Sequence, residues 1–338
     1  MQDANILRQR FATDADEIAR SLIKALDLTH SGKIEHLAEP LTRWLDFRLR
    51  IIDPRPRRVH LSDCFPKTLD IQTGQALRSM VEAIKRGDDI NHFQSKSLIY
   101  SDPSGTRRGG RTDLLWGDWG IHHLHIAEQP SNHVPGFATR SDHLLFLLAF
   151  RDDVLFIDVR THAEGSTLFS DQELVQVVAR NWLEVMQPFE LKNVLAGGFA
   201  PTSEERMQLR RSGIATPLEI DGKVYIGPGL GITSASTPAK VTLAKDRVIR
   251  NIVRLAELVA EPSGQFQQAI PESIRDRAQF SLALMPLGIG LFEEETKHGW
   301  IFPEMKFDGT DSLLAELSDS FTPPWIKKAM MEAQQRGV

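Results

Sequence analysis

Along the first hundred residues, apolar side chains recur every three to four positions. Ile6, Leu7, Phe11, Ile18, Leu22, Ile23 and Leu26 keep that spacing through residues 4–27, the period of a helix with one buried face. Ile34, Leu37, Leu41, Leu45 and Leu49 repeat it over about 33–50. Pro54-Arg55-Pro56 closes that stretch, because proline lacks a donor and restricts the residue before it. A third helix is expected over about 72–86, ending before Gly87-Asp88-Asp89. Residues 101–112 (SDPSGTRRGGRT) read as a linker, and beyond them the period changes from helical to alternating. IHHLHI (121–126), HLLFLLAF (143–150) and VLFIDVRTH (154–162) are strand candidates; the last two are joined by Arg151-Asp152-Asp153, a hairpin length. HLLFLLAF is too apolar to face water and is expected to be a central strand, buried on both faces.

A helix follows, with Ser170 three residues before Glu173 in capping-box spacing and with Leu174, Val175, Val178, Leu183 and Val185 on its inner face; Pro188 stops it. After Gly197-Gly198, the segment LEI-DG-KVY (218–225) is a hairpin pattern, since Asp-Gly suits a tight primed turn. A long helix over about 239–260, strands within 280–304 and short helices near 311–318 and 323–335 complete the pattern. The expected fold class is therefore α+β. Its parts are an N-terminal helical region (1–100), a central antiparallel sheet with a capped helix (113–190) and a C-terminal α+β segment (197–338).

Composition narrows the classes. With 41% hydrophobic and 25% charged residues in a chain of 338, wholesale disorder is excluded. No apolar run approaches the ~18–20 residues of a membrane helix, and the N-terminus carries charges where a secretory signal has an apolar core. The single cysteine, Cys64, forbids an intrachain disulfide. A cytoplasmic protein without membrane partner or cofactor is expected. The net charge of −5 argues against a whole-molecule glove for nucleic acid. Two local arginine stretches differ: Arg48, Arg50, Arg55, Arg57 and Arg58, and then Arg107, Arg108 and Arg111. Either can meet phosphates or lie in solvated loops flanking a domain.

The densest chemistry is histidine. Six of the eleven histidines fall between positions 122 and 162. Strand alternation puts His123 and His125 on one face with Ile121, and His122, Leu124 and Ile126 on the other. In the later strand it groups Asp158, Arg160 and His162, leaving Leu155, Ile157 and Val159 toward the core. If the two polar rows share a side, one reading is metal-free phosphodiester cleavage, with imidazoles as acid and base and Arg160 on the phosphate. Another is a metal site built from His-x-His with Asp158 or His162. A third is that these histidines bond to backbone carbonyls at an interface and carry no chemistry.

IHHLHI, DHLLFLLAFRDDVLFIDVRTH and the following helix together resemble the RelE/ParE family of bacterial toxins over about 70 residues; those toxins are short and basic, whereas this chain is long and acidic. The resemblance implies ribosome-dependent mRNA cleavage by basic and histidine side chains on an exposed sheet face, with His123, His125, Arg160 and His162 at the matching positions and Arg107, Arg108 and Arg111 on the RNA backbone. The chain also resembles a set of uncharacterised bacterial proteins that share a DWGIHHLHI-like motif (Asp118–Ile126) and a later Gly-rich loop. The function expected first is a toxin-like, metal-independent ribonuclease acting on RNA or the ribosome. The alternatives are a non-enzymatic interaction protein of a mobile-element or defence setting, with a protein partner, and a metal-dependent hydrolase.

Weaker signals remain. GPGLGITS (227–234) lacks the lysine of a P-loop and reads as a tight connection or an anion-binding helix start. Trp116 and Trp119 can stack on bases or anchor a core. Glu293-Glu294-Glu295-Thr296-Lys297 reads as a solvated turn.

Overall fold

The computed structural model describes residues 3–104, 112–127, 137–138, 141–164, 166–195, 197–198 and 201–326. In chain order its elements begin with α1 (Ala4–Ala25), α2 (Pro40–Arg50), β1 (Arg58–Leu61), α3 (Ile71–Arg86) and α4 (Ser97–Tyr100). Next come α5 (Leu114–Trp119), β2 (His122–His125), β3 (His143–Ala149), β4 (Asp153–Thr161), α6 (Glu173–Asn181), α7 (Leu183–Met186) and α8 (Ser203–Arg211). The chain continues through β5 (Leu218–Ile220), β6 (Lys223–Tyr225), α9 (Ala239–Ala260), α10 (Gln265–Gln268), β7 (Phe280–Met285), β8 (Gly288–Glu293), β9 (His298–Ile301) and α11 (Leu313–Phe321). The fold is α+β, with mixed and antiparallel sheets. No helix among the described residues is long and apolar enough to cross a membrane. The chain forms two compact units, Leu49–Lys240 and Met1–Arg48 with Val241–Val338.

Within Leu49–Lys240 the sheet order is β1-β4-β3-β2. β2, β3 and β4 are antiparallel, as the alternation implies, and β3 lies between two neighbours. β1 adds a parallel edge strand from the Arg58–Leu61 stretch, which the helical and linker pattern of the first hundred residues does not announce. Its side chains are mostly exposed, so it carries no apolar alternation. Both faces of β3 are sealed. Leu144, Phe146 and Leu148 pack with Leu174, Val175 and Val178 of α6. Leu145 and Leu147 pack with Ala76, Met80 and Ile84 of α3. Each such side chain, fully buried, contributes about 1.5–3 kcal/mol of transfer free energy.

Three local expectations change. α6 forms where expected, but Ser170 does not cap it. The Ser170 hydroxyl donates to the Ser203 carbonyl, and the Asp171 carboxylate accepts the Glu173 N–H. A reciprocal capping box appears instead at Thr202 and Glu205, starting α8. The helix after β4 breaks at Trp182, and Leu183, expected inside, is exposed. The β5–β6 hairpin has Asp221 and Gly222 at φ 49° and 73°, the left-handed pair a primed turn requires. The terminal helix expected over about 323–335 falls mostly outside the described residues.

In the other unit β7, β8 and β9 form an antiparallel sheet. The turn after β8 is not simply solvated: Glu293 is fully buried. Its carboxylate accepts the Thr296 hydroxyl and the N–H groups of Thr296, Gln279 and Glu295. Burial alone would raise its pKa, but these donors outweigh burial and pull it down to about 2. A carboxylate depressed in this way stabilises the fold above its unfolded pKa of about 4.3, and that contribution is lost as pH falls toward 2. Glu293→Ala strands several buried donors and is expected to cost about 3 kcal/mol. Urea titrations of both proteins at pH 7 and pH 3 check this: the deficit of the variant should shrink at pH 3.

Candidate functional site

The approach to β2 is built by one short helix and one glycine. Asp113 caps α5, its Oδ1 accepting the N–H groups of Leu115 (3.0 Å) and Trp116 (3.1 Å). Gly120 ends the helix at φ 74°, a conformation that glycine adopts without a Cβ clash. The motif DWGIHHLHI is thus a helix end, a left-handed turn and a strand. The other oxygen of Asp113, Oδ2, lies 3.3 Å from Nδ1 of His123, an ion-pair distance without hydrogen-bond alignment. One carboxylate therefore links the start of α5 to the strand that α5 delivers.

His123 and His125 face one side of the sheet, and His122 faces the other with Leu124 and Ile126, as alternation requires. The ring of His125 is 6.4 Å from that of His123 and 5.5 Å from that of His162, centre to centre. Three imidazoles form a row across one end of the sheet. His162 is placed by the turn after β4, its backbone N–H donating to the Asp142 carbonyl at 2.9 Å. Phe169 stands 5.2 Å from the His123 ring and Phe146 6.3 Å from it. Nδ1 of His125 lies 3.2 Å from the Ser141 carbonyl oxygen. A carbonyl only accepts, so Nδ1 carries the proton and Nε2 is the nitrogen able to take one. Among the described residues Nε2 of His162 is buried without a hydrogen-bond partner, and Nδ1 of His123 is likewise closed to solvent.

The electrostatics of the row follow from burial. Burial lowers the pKa of His123, Asp113 opposes that, and Arg50 and His162 add to it; the net shift is downward, which keeps the ring neutral at pH 7. Burial would raise Asp113, yet His123, Arg50 and the Trp116 N–H outweigh it and hold the carboxylate below its ordinary range.

Arg160 joins this face through register: His125 pairs with Leu144, and Leu144 with Arg160. Its guanidinium is bound to Asp158 at 2.5 Å and to Glu173 at 2.8 Å. Burial works against its charge, but those two carboxylates outweigh that and hold its proton more tightly than usual. The charge expected for a phosphate is already met twice.

The facing of β4 also departs from simple alternation. Phe146 pairs with Asp158 and Leu147 with Phe156, leaving Ile157 as an extra residue in a bulge. A bulge shifts the two-residue period by one. Leu155 and Ile157 consequently lie in the cluster with Leu144 and Phe146, on the side of Asp158 and Arg160, while Val159 packs on the opposite cluster.

Other expectations resolve as follows. Among the described residues no three His, Cys, Asp or Glu side chains are placed to share a metal ion, and Asp158 is taken by Arg160. Arg107, Arg108 and Arg111 lie outside the described residues. Three of the five arginines between 48 and 58 point inward. Arg48 binds Asp319, Arg50 binds the Ser97 carbonyl and hydroxyl, and Arg57 binds the carbonyls of Phe150, Asp53 and Arg55. These three are taken up inside the fold, while Arg58 stays exposed and is bidentate on Asp153. Trp116 and Trp119 are buried core anchors, with the Lys240 ammonium 3.5 Å above the Trp116 ring. The glycines of GPGLGITS allow backbone to lie on backbone. Gly229 N–H donates to the Asp118 carbonyl at 3.0 Å, and a Cβ on Gly229 would fall 2.5 Å from the Gly117 carbonyl oxygen. The loop clamps the end of α5.

Sequence reasoning missed Asp113 and Phe169; it grouped Asp158 with Arg160 but not as its ion pair, and it read Glu173 as a capping residue and not as a partner of Arg160. An Asp directly before an apolar run is a helix-start signal and locates the cap of α5; nothing in the sequence signals its second contact, with His123. Compared with models of protein families, with curated proteins and with solved structures, the chain gives no match.

Proposed function

We propose that the chain is a toxin-like, metal-independent ribonuclease whose acid–base pair is His125 and His162. The observation that carries the reading is the 5.5 Å ring separation of these two side chains on one sheet face, with His123 next in the row. Imidazole is the side chain that gives or takes a proton near neutral pH, and cleavage at a 2′-hydroxyl needs one group for each transfer. Ser141 sets the tautomer of His125 so that Nε2 is its basic nitrogen, and Asp113 orients His123 in support. Arg160, neutralised by Asp158 and Glu173, holds the end of β4 and is not assigned the phosphate. Arg107, Arg108 and Arg111 are assigned to the RNA backbone on sequence grounds alone.

The test is cleavage of RNA by the purified full chain, with and without ribosomes. Activity is expected to survive EDTA and to fall by about 100-fold or more in His162→Ala and in His125→Ala, with far-UV circular dichroism unchanged. Absence of cleavage by folded wild-type protein in both formats removes the proposal.

A second reading, a non-enzymatic protein that holds a protein partner, is favoured by the burial of His162 Nε2 and His123 Nδ1. Under it His162→Ala alters stability or partner capture and no RNA is cut.

A further inference from the structure

At the opposite end of β4 from the histidine row, the Leu49–Lys240 unit contains a cavity of about 520 Å³. Its lining is Arg58 and His60 of β1, Phe150 of the β3–β4 turn, Asp153 and Leu155 of β4, and Trp182, Glu184 and Val185 at the α6–α7 break. Along β4, Asp153 at the cavity and Thr161 beside His162 are about 25 Å apart, and His123, level with Asp158, is nearer. The volume lies in the range of small-ligand sites, and its surfaces differ in kind. Phe150, Leu155, Trp182 and Val185 supply an apolar, partly aromatic wall. Phe150 is 42% exposed although it is a large apolar side chain.

The two carboxylates of the cavity are not equivalent. Asp153 is saturated: Arg58 donates to both of its oxygens at 2.8 Å, and Nε2 of His60 lies 2.7 Å from Oδ1. Glu184 is exposed and has no hydrogen bond or ion pair among the described residues. A free acceptor pair thus stands beside aromatic walls, with a guanidinium and an imidazole at the same mouth.

We infer that this cavity is a guanine-nucleotide subsite, an assignment that rests on the RNA reading for its ligand class. Stacking on aromatic side chains is the general means of holding an unpaired base. A carboxylate accepts from hydrogen-bond donors only. Guanine presents two adjacent donors, N1–H and the N2 amine, to one carboxylate. Adenine and cytosine each place a ring acceptor beside their amine, which would face Glu184 with like polarity. Uracil offers one donor between two carbonyls. Arg58 and His60 are both held by Asp153, so selection rests on the aromatic wall and on the donor edge that meets Glu184, not on the phosphate.

Isothermal titration of the full chain with GMP, AMP, CMP and UMP tests the inference. GMP is expected to bind saturably and at least tenfold more tightly than the other three. Trp182→Ala should weaken GMP by about tenfold or more. Glu184→Gln, an exposed substitution that leaves the core untouched, should bring GMP to the level of AMP. His162→Ala should leave GMP binding intact, so a failure of the cleavage proposal and a failure of this one are separable. No saturable GMP binding, equal affinity for all four nucleotides, or GMP affinity unchanged in Glu184→Gln would overturn it.

Discussion

Asp118→Ala is expected to destabilise the protein by about 3–5 kcal/mol, the cost of leaving a buried charge without its partner. Asp118 and Arg210 are side chains only 2% and 1% exposed, joined at 2.6 Å. The guanidinium also donates to the Phe169 carbonyl and lies 4.1 Å above the Trp119 ring. Burial lowers the pKa of Arg210, and Asp118 is the chief group that opposes this. Arg206 sits one helical turn away, its charge likewise facing Asp118, so removal of one carboxylate leaves two buried guanidinium groups worse off. At about 2–4 °C per kcal/mol for a unit of this size, the melting temperature should drop by about 10 °C. The double change Asp118→Leu with Arg210→Met replaces the pair by apolar groups of similar volume, which commonly restores much of the loss. Thermal unfolding of the two variants decides the matter: equal destabilisation in both would show that the cost is not that of an uncompensated charge.

Lowering the pH from 7.5 to 5 is expected to remove about 2 kcal/mol of stability through His122 alone. Burial first, then Lys240, pushes its pKa down to about 3, with Asp113 working the other way and Arg50 and His123 adding to the fall. The unfolded chain takes up a proton on His122 near pH 6.5, whereas the folded chain refuses it until about pH 3. Over that window the unfolded state binds more protons, so stability rises with pH and declines as pH falls below 6.5. His123, also depressed, acts in the same direction. Unfolding free energies measured between pH 4 and 8 should show a shallower slope in His122→Asn than in the wild type. Identical slopes would place the titrating group elsewhere.

These two experiments concern residues of the stretch Asp118–Ile126, where the outcome of reading sequence alone was mixed. The faces of His122, His123 and His125 follow from a two-residue period, which no neighbour can alter without a bulge. The gathering of His123, His125 and His162 depends on the register of three strands. That register was legible in part, because the Arg151-Asp152-Asp153 turn joins β3 to β4 directly. The bulge at Ile157 was not legible: Val154-Leu155-Phe156-Ile157 is a continuous apolar run in which nothing marks an extra residue, and the ladder alone reveals it. The same limit explains Arg160, whose partner Asp158 is two residues away in sequence but whose partner Glu173 arrives on a helix.

The arginines between 48 and 58 teach the complementary lesson. A run of like charges ordinarily signals a solvated or phosphate-facing surface, because burying a guanidinium is costly. Arg48, Arg50 and Arg57 are nevertheless buried, since Asp319, Ser97 and the Phe150 carbonyl from distant segments, with the local carbonyls of Asp53 and Arg55, meet their donors. Glu293 is the same case with the opposite charge, its acceptors filled by the following turn and by the Gln279 N–H.

Short-range physics determined what the chain alone could determine: the helices α1, α3 and α9, the strands β2 to β4, the Asp221-Gly222 turn and the α+β class all follow from apolar period and turn chemistry, which act within a few residues. Tertiary structure decided which charges are inside, that β1 joins the sheet in parallel, that Asp113 reaches His123, and that an aromatic cavity opens beside Glu184. Each of those depends on groups far apart in the chain, and a contact of that kind leaves no mark in the local pattern of either partner.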